Sequence, residues 1–161
     1  MKNVVKVLLC LLTLLLITAC NKQEIVDIDN NEATTINNTS KGKIYLAGPL
    51  FNQAERDYNL KVTEILESLG YEVFLPQRDC DISTLTDKSE EEISEIIFKL
   101  DAEAIKDSDI LIINLDGRVP DEGACVELGI AYSLGKRCYG IMSDIRTAQD
   151  GMDLNPMISE C

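Results

Sequence analysis

From residue 43 onward, short apolar runs alternate with longer stretches in which apolar residues recur every three or four positions. Short runs closed by Gly, Pro or Asp suit buried strands, and the longer period suits helices packed on one side. Lys43-Ile44-Tyr45-Leu46-Ala47-Gly48 predicts a first strand, closed by Gly48-Pro49. Between Asn52 and Leu69, the residues Leu60, Ile65, Leu66 and Leu69 sit at helical spacing, and Gly70 follows where a helix-ending glycine belongs. Tyr71 to Leu75 predicts a second strand, stopped by Pro76. Ser89-Glu90-Glu91-Glu92 matches a capping box and opens a helix with Ile93, Ile96, Ile97, Leu100, Ala104 and Ile105 along one side. Asp109 to Asn114 predicts a third strand, Gly123 to Leu134 a further helix, and Arg137 to Met142 a fourth strand.

Strands alternating with helices in this order predict an α/β domain: a doubly wound parallel sheet with helices on both faces, a flavodoxin- or Rossmann-like three-layer sandwich. Ligands of such sheets sit at the carboxyl ends of the strands. Gly48-Pro49, Pro76 to Asp79, Leu115 to Glu122 and the segment after Met142 are therefore expected around one pocket. Gly129 to Lys136 is no phosphate loop, because it lacks Ser or Thr after the lysine and runs from helix to strand, the reverse of what that loop needs.

The beginning of the chain follows a different pattern. Lys2 and Lys6 precede an apolar run from Val7 to Ile17, the length of an export signal and short of the roughly 20 residues that span a bilayer. Ile17-Thr18-Ala19-Cys20 resembles the lipobox of bacterial lipoproteins. That resemblance implies cleavage before Cys20, lipid on Cys20, and an exported protein anchored to the cell membrane or envelope. Residues 1–19 are expected as the signal peptide, 20–42 as the lipidated cysteine and a flexible acidic tether, and 43–161 as the folded domain.

Composition narrows the chemistry. In 161 residues, 28 Asp and Glu face 15 Lys and Arg, a formal charge of −13, which disfavours a nucleic-acid polymer as partner. The chain has no His, so acid–base work falls to carboxylates. Cys80, Cys125, Cys138 and Cys161 show no close metal-type spacing, and no metal or cofactor is expected.

Two carboxylates fall on apolar helical faces. Asp101 lies four residues after Ile97 and four before Ile105; Glu127 lies three after Ala124 and three before Ile130. One such acid alone is commonly a helix-edge residue bonded to backbone or Arg. Two of them near the carboxyl edge of one sheet resemble the carboxylate pair that breaks glycosidic bonds. Glu127 lies near its helix N-terminus, where the dipole favours an anion and hence a nucleophile. Asp101 lies mid-helix, where burial should raise its pKa and suit it to carrying a proton.

Several separated segments extend the pattern. Lys43 to Phe51, Phe74-Leu75-Pro76-Gln77-Arg78-Asp79, Asp107-Ser108-Asp109, and Asp116 to Gly123 running into Val126-Glu127-Leu128-Gly129 together resemble the nucleoside 2-deoxyribosyltransferases over residues 43–158. The resemblance implies transfer of a 2-deoxyribosyl group between deoxyribonucleosides and free nucleobases, through a covalent glycosyl-enzyme intermediate and without cofactor. It implies Glu127 as nucleophile, Asp101 as the acid serving the base, and Asp121 as the carboxylate holding the sugar hydroxyls. Tyr45 is implied beside the nucleophile, with Gly48, Phe51 and Gly123 in the same motifs and Gln77, Arg78 and Asp79 on the loop facing the base. Asn155 is implied as a residue lent to a neighbouring subunit's site, hence a homo-oligomer. Two further readings stay open: a nucleoside or nucleotide N-glycoside hydrolase on the same scaffold, and a lipoprotein that binds nucleosides without turnover.

Overall fold

The computed structural model describes residues 40–144 and 154–161; the signal segment, Cys20, the tether up to residue 39 and part of the segment after Met142 lie outside them. Four strands, β1 (Lys43–Ala47), β2 (Glu72–Phe74), β3 (Ile110–Asn114) and β4 (Arg137–Ile141), form one sheet. All pairings are parallel, in the order β2-β1-β3-β4, with Ile44 beside Val73 on one side and Ile110 on the other. Between and after them run α1 (Gln53–Ser68), α2 (Pro76–Asp79), α3 (Glu90–Asp107), α4 (Glu122–Ser133) and α5 (Pro156–Ser159). The expected alternation holds, with α2 and α5 as short additions. The chain first builds outward from β1 to β2, then returns to add β3 and β4 on the other side. Strand order therefore reverses between β1 and β3, where a crevice opens at the carboxyl ends.

Alternation along the strands divides the core in two. Ile44, Leu46, Val73 and Ile110 pack against Val62 and Leu66 of α1. On the opposite face Tyr45, Ala47, Leu111 and Ile113 pack against Ala104 and Ile105 of α3 and Ala124, Leu128 and Ala131 of α4. Each Val, Leu or Ile side chain fully buried this way contributes about 1.5–3 kcal/mol of transfer free energy.

Three local expectations change. The inward stripe of α1 is only partly the predicted series: Leu66 packs inward, but Leu60 and Leu69 stand 40% and 49% exposed, while Asn59 and Thr63 are buried. Asn59 tolerates burial because its amide donates to Pro49 O (2.9 Å) and Gln77 Oε1 (3.1 Å). Leu100 of α3 is likewise 40% exposed. Pro76 does not merely end β2. It opens α2, where its missing N–H costs no hydrogen bond. Both long helices before β3 begin at reciprocal capping boxes, Asn52 with Glu55 and Ser89 with Glu92. At the end of β1, a Cβ on Gly48 would stand 3.0 Å from Asn114 Cβ, so the glycine permits the close approach of β1 and β3 at the crevice.

Candidate active site

The pleat of β1 turns Tyr45 toward α3 and α4, where it is fully buried. Its ring stacks on Phe74 of β2, with centroids 5.5 Å apart and planes at 15°. Held this way, the Tyr45 hydroxyl donates to Glu127 Oε1 at 2.8 Å, joining positions 82 residues apart. Asp101 of α3 is the second acidic neighbour of that hydroxyl. From the segment after α2, Cys80 Sγ donates to Asp101 Oδ1 at 3.2 Å. A groove of about 410 Å³ runs between α3 and α4, with Ile97, Phe98, Val126 and Ile130 on its walls and both carboxylates lining it.

Electrostatics follow from this crowding. Burial pushes Glu127 up to about 7, Asp101 and Asp121 add to the rise, and the Tyr45 hydrogen bond opposes it. The helix dipole was expected to keep Glu127 an anion. The residue lies six positions past its N-cap, beyond the first turn where the dipole acts, and desolvation outweighs it. Asp101 is raised too, by burial, with the Cys80 and Tyr45 hydrogen bonds holding it back. Burial and the two facing carboxylates push the Tyr45 phenol up, so it remains an O–H donor.

One hydroxyl proton serves two carboxyls. Tyr45 gives it to Glu127 at 2.8 Å, with Asp101 facing the same hydroxyl. Both carboxyls are raised by burial and face that one phenol O–H in the groove between α3 and α4. Two carboxyls and a neutral donor thus share one groove, the kind of set that carboxylate chemistry at a glycosidic bond uses.

The remaining residues expected in the site divide. Asp121 is the N-cap of α4, with Oδ1 accepting from Ala124 N–H at 2.8 Å, and its charge reaches Glu127. Gly123 lines the groove in the first turn of α4. Gly48 sits at the end of β1, and Phe51 stands 77% exposed on the loop that follows. Gln77, Arg78 and Asp79, expected on the loop facing the base, are tied into the fold by their side chains. Gln77 Nε2 donates to Arg56 O at 2.9 Å and its Oε1 accepts from Asn59. Arg78 binds Asp79, Glu67 at 2.8 Å and the carbonyl of Val73. Asp79 Oδ2 accepts from Leu75 N–H at 2.7 Å. These three tie α2 to α1 and β2, because α2 turns them back along the sheet edge. Asn155 is exposed and caps α5, accepting from Met157 N–H at 2.9 Å, and no described hydrogen bond joins it to the cluster.

Two residues were missed. For Cys80 the sequence shows only that the cysteines lack close metal-type spacing, and no periodic pattern marks its contact with α3. Asp116, quoted within a motif, accepts from Ser143 N–H and Oγ and from Asp144 N–H, pinning the chain after β4 to the loop after β3.

Comparison with known proteins gives a consistent family. The profile of the nucleoside 2-deoxyribosyltransferases matches residues 44–157. A 2-deoxyribosyltransferase from Bacillus psychrosaccharolyticus is 32% identical, with a TM-score of 0.60 over 73% of this chain and 80% of that one. A conserved protein from Enterococcus faecalis V583 is 34% identical, with a TM-score of 0.58 over 68% and 69% of the two chains. The transferase from Leishmania mexicana, 23% identical with a TM-score of 0.52 over 73% and 76%, shares the fold. No curated protein matches the sequence. With more than half of its length matched by that profile, the chain belongs to the nucleoside 2-deoxyribosyltransferase family.

Proposed function

We propose that the protein moves a 2-deoxyribosyl group from one nucleobase to another through an ester on Glu127. The observation that carries this reading is the Tyr45 hydroxyl bonded to Glu127 with Asp101 beside it in one groove. In the first half-reaction a Glu127 oxygen bonds to the anomeric carbon as the glycosidic C–N bond breaks. The bonding pair leaves with the base nitrogen, and Asp101 gives that nitrogen its proton. In the second half an incoming base nitrogen attacks the same carbon, the C–O bond to Glu127 breaks, and Asp101 takes the proton back. A 2-deoxy sugar lacks the electron-withdrawing hydroxyl next to the reacting carbon, so positive charge develops there at lower cost and a carboxylate both stabilises and traps it. Asp121 is placed in the same reading as the acceptor of sugar hydroxyls, and Asn155 as a residue that completes a neighbouring subunit's pocket. Cys20 is read as the lipid attachment that holds the domain at the cell envelope.

Incubation with thymidine or deoxyinosine, with and without adenine, tests the reaction. New deoxyadenosine, resolved by chromatography, is the expected product. Free base alone would mean that water takes the acceptor's place, and neither product would leave a nucleoside binder.

A further inference from the structure

Cys80 is the C-cap residue of α2, in the segment leaving the carboxyl end of β2, and is half-buried. The 3.2 Å contact from its thiol to Asp101 Oδ1 links that segment directly to α3. Asp101 is faced by Cys80, by Tyr45 of β1 and by Glu127 of α4, with Asp79 acting on Cys80 from α2. Among the described residues no Lys or Arg is paired with Asp101. The thiol is thus its one neighbour that adds a donor without belonging to the Tyr45–Glu127 pair.

Burial, then the bond to Asp101, push the Cys80 thiol up to about 12. It therefore stays S–H, a neutral donor, at every pH where the carboxyls titrate. A thiol donor is weak. It orients a carboxyl without holding it so firmly ionised that it could no longer take up a proton, as a paired guanidinium would.

We propose that Cys80 is a positioning residue for Asp101, its thiol fixing Oδ1 so that the other carboxyl oxygen carries the proton exchanged with the base. This rests on the transferase reading, and the experiment keeps the two apart. Titrate the carboxyl carbons of wild type, Cys80→Ala and Cys80→Ser by 13C NMR, with Asp101 assigned through Asp101→Asn, and record the pH profile of kcat for base exchange alongside. Losing one neutral hydrogen bond should move the Asp101 midpoint of Cys80→Ala upward by about 0.5–1 pH unit. kcat should fall several-fold with KM little changed, and Cys80→Ser, which keeps a donor, should lie nearer wild type on both. An Asp101 midpoint unmoved in Cys80→Ala overturns the proposal, whatever its kinetics. Absence of turnover in wild type removes the transferase reading, while the NMR midpoint still decides the contact. If Cys80→Ala does not fold, the infrared S–H band of wild type, identified by its loss in Cys80→Ser, takes over. It should shift to lower frequency as Asp101 ionises, and a band blind to pH overturns the proposal.

Discussion

Glu127 shows what burial does to a carboxylate. With its folded pKa raised from 4.5 to about 7, the native state binds a proton more tightly than the unfolded chain does between those values. Stability from this group is therefore fully present below about pH 4.5 and is lost as pH rises through about 7, by at most about 3 kcal/mol. Glu127→Gln removes that loss. Its melting temperature should exceed wild type's most at pH 8 and converge toward it near pH 4.5, while turnover falls by several orders of magnitude. A variant that melts far lower yet retains specific activity would place Glu127 in a structural bridge instead. Wild-type kcat/KM should fall as pH drops below about 7, since Glu127, the proposed nucleophile, is then neutral. Asp101 and Glu127 were readable because each interrupts an apolar face at helical spacing. Cys80 was not, since a contact between an irregular segment and the middle of α3 leaves no period in the sequence.

At the level of elements, Asp121 holds two positions at once. Its Oδ1 caps α4, and its charge acts on Glu127. Asp121→Asn keeps an oxygen that accepts from Ala124 N–H and should melt within a degree or two of wild type. Asp121→Ala loses the cap and about 1 kcal/mol. If the charge also holds the sugar, both variants should lose turnover alike. Activity that tracked stability, falling only in Asp121→Ala, would confine the residue to capping. Helix and strand order were readable because a parallel sheet buried on both faces needs continuous apolar runs, and those runs are visible between turn residues. The inward face of α1 was not, because Asn59 and Thr63 take core positions that hydrophobicity alone assigns to leucine. Nor was α2, a single turn whose only sequence mark is a proline equally suited to ending a strand.

For the whole molecule, the proposed anchoring and assembly are separable from the fold described. Cys20→Ala should release the protein from the membrane pellet on fractionation while leaving base exchange unchanged; a mutant still in the pellet would point to an uncleaved apolar anchor. Asn155→Ala should keep the oligomer's size by light scattering yet lose turnover, and a monomeric wild type with full activity would sink that role. The Tyr45–Glu127 hydrogen bond closes a loop of 82 residues, from the first strand of the sheet to the last long helix. No shorter stretch of chain holds both ends of it. A nascent chain stalled before α4, or a fragment left by a protease cutting between them, therefore holds only one partner of that bond. In the proposed mechanism base exchange therefore needs the whole domain, and turnover would serve as a readout of complete folding.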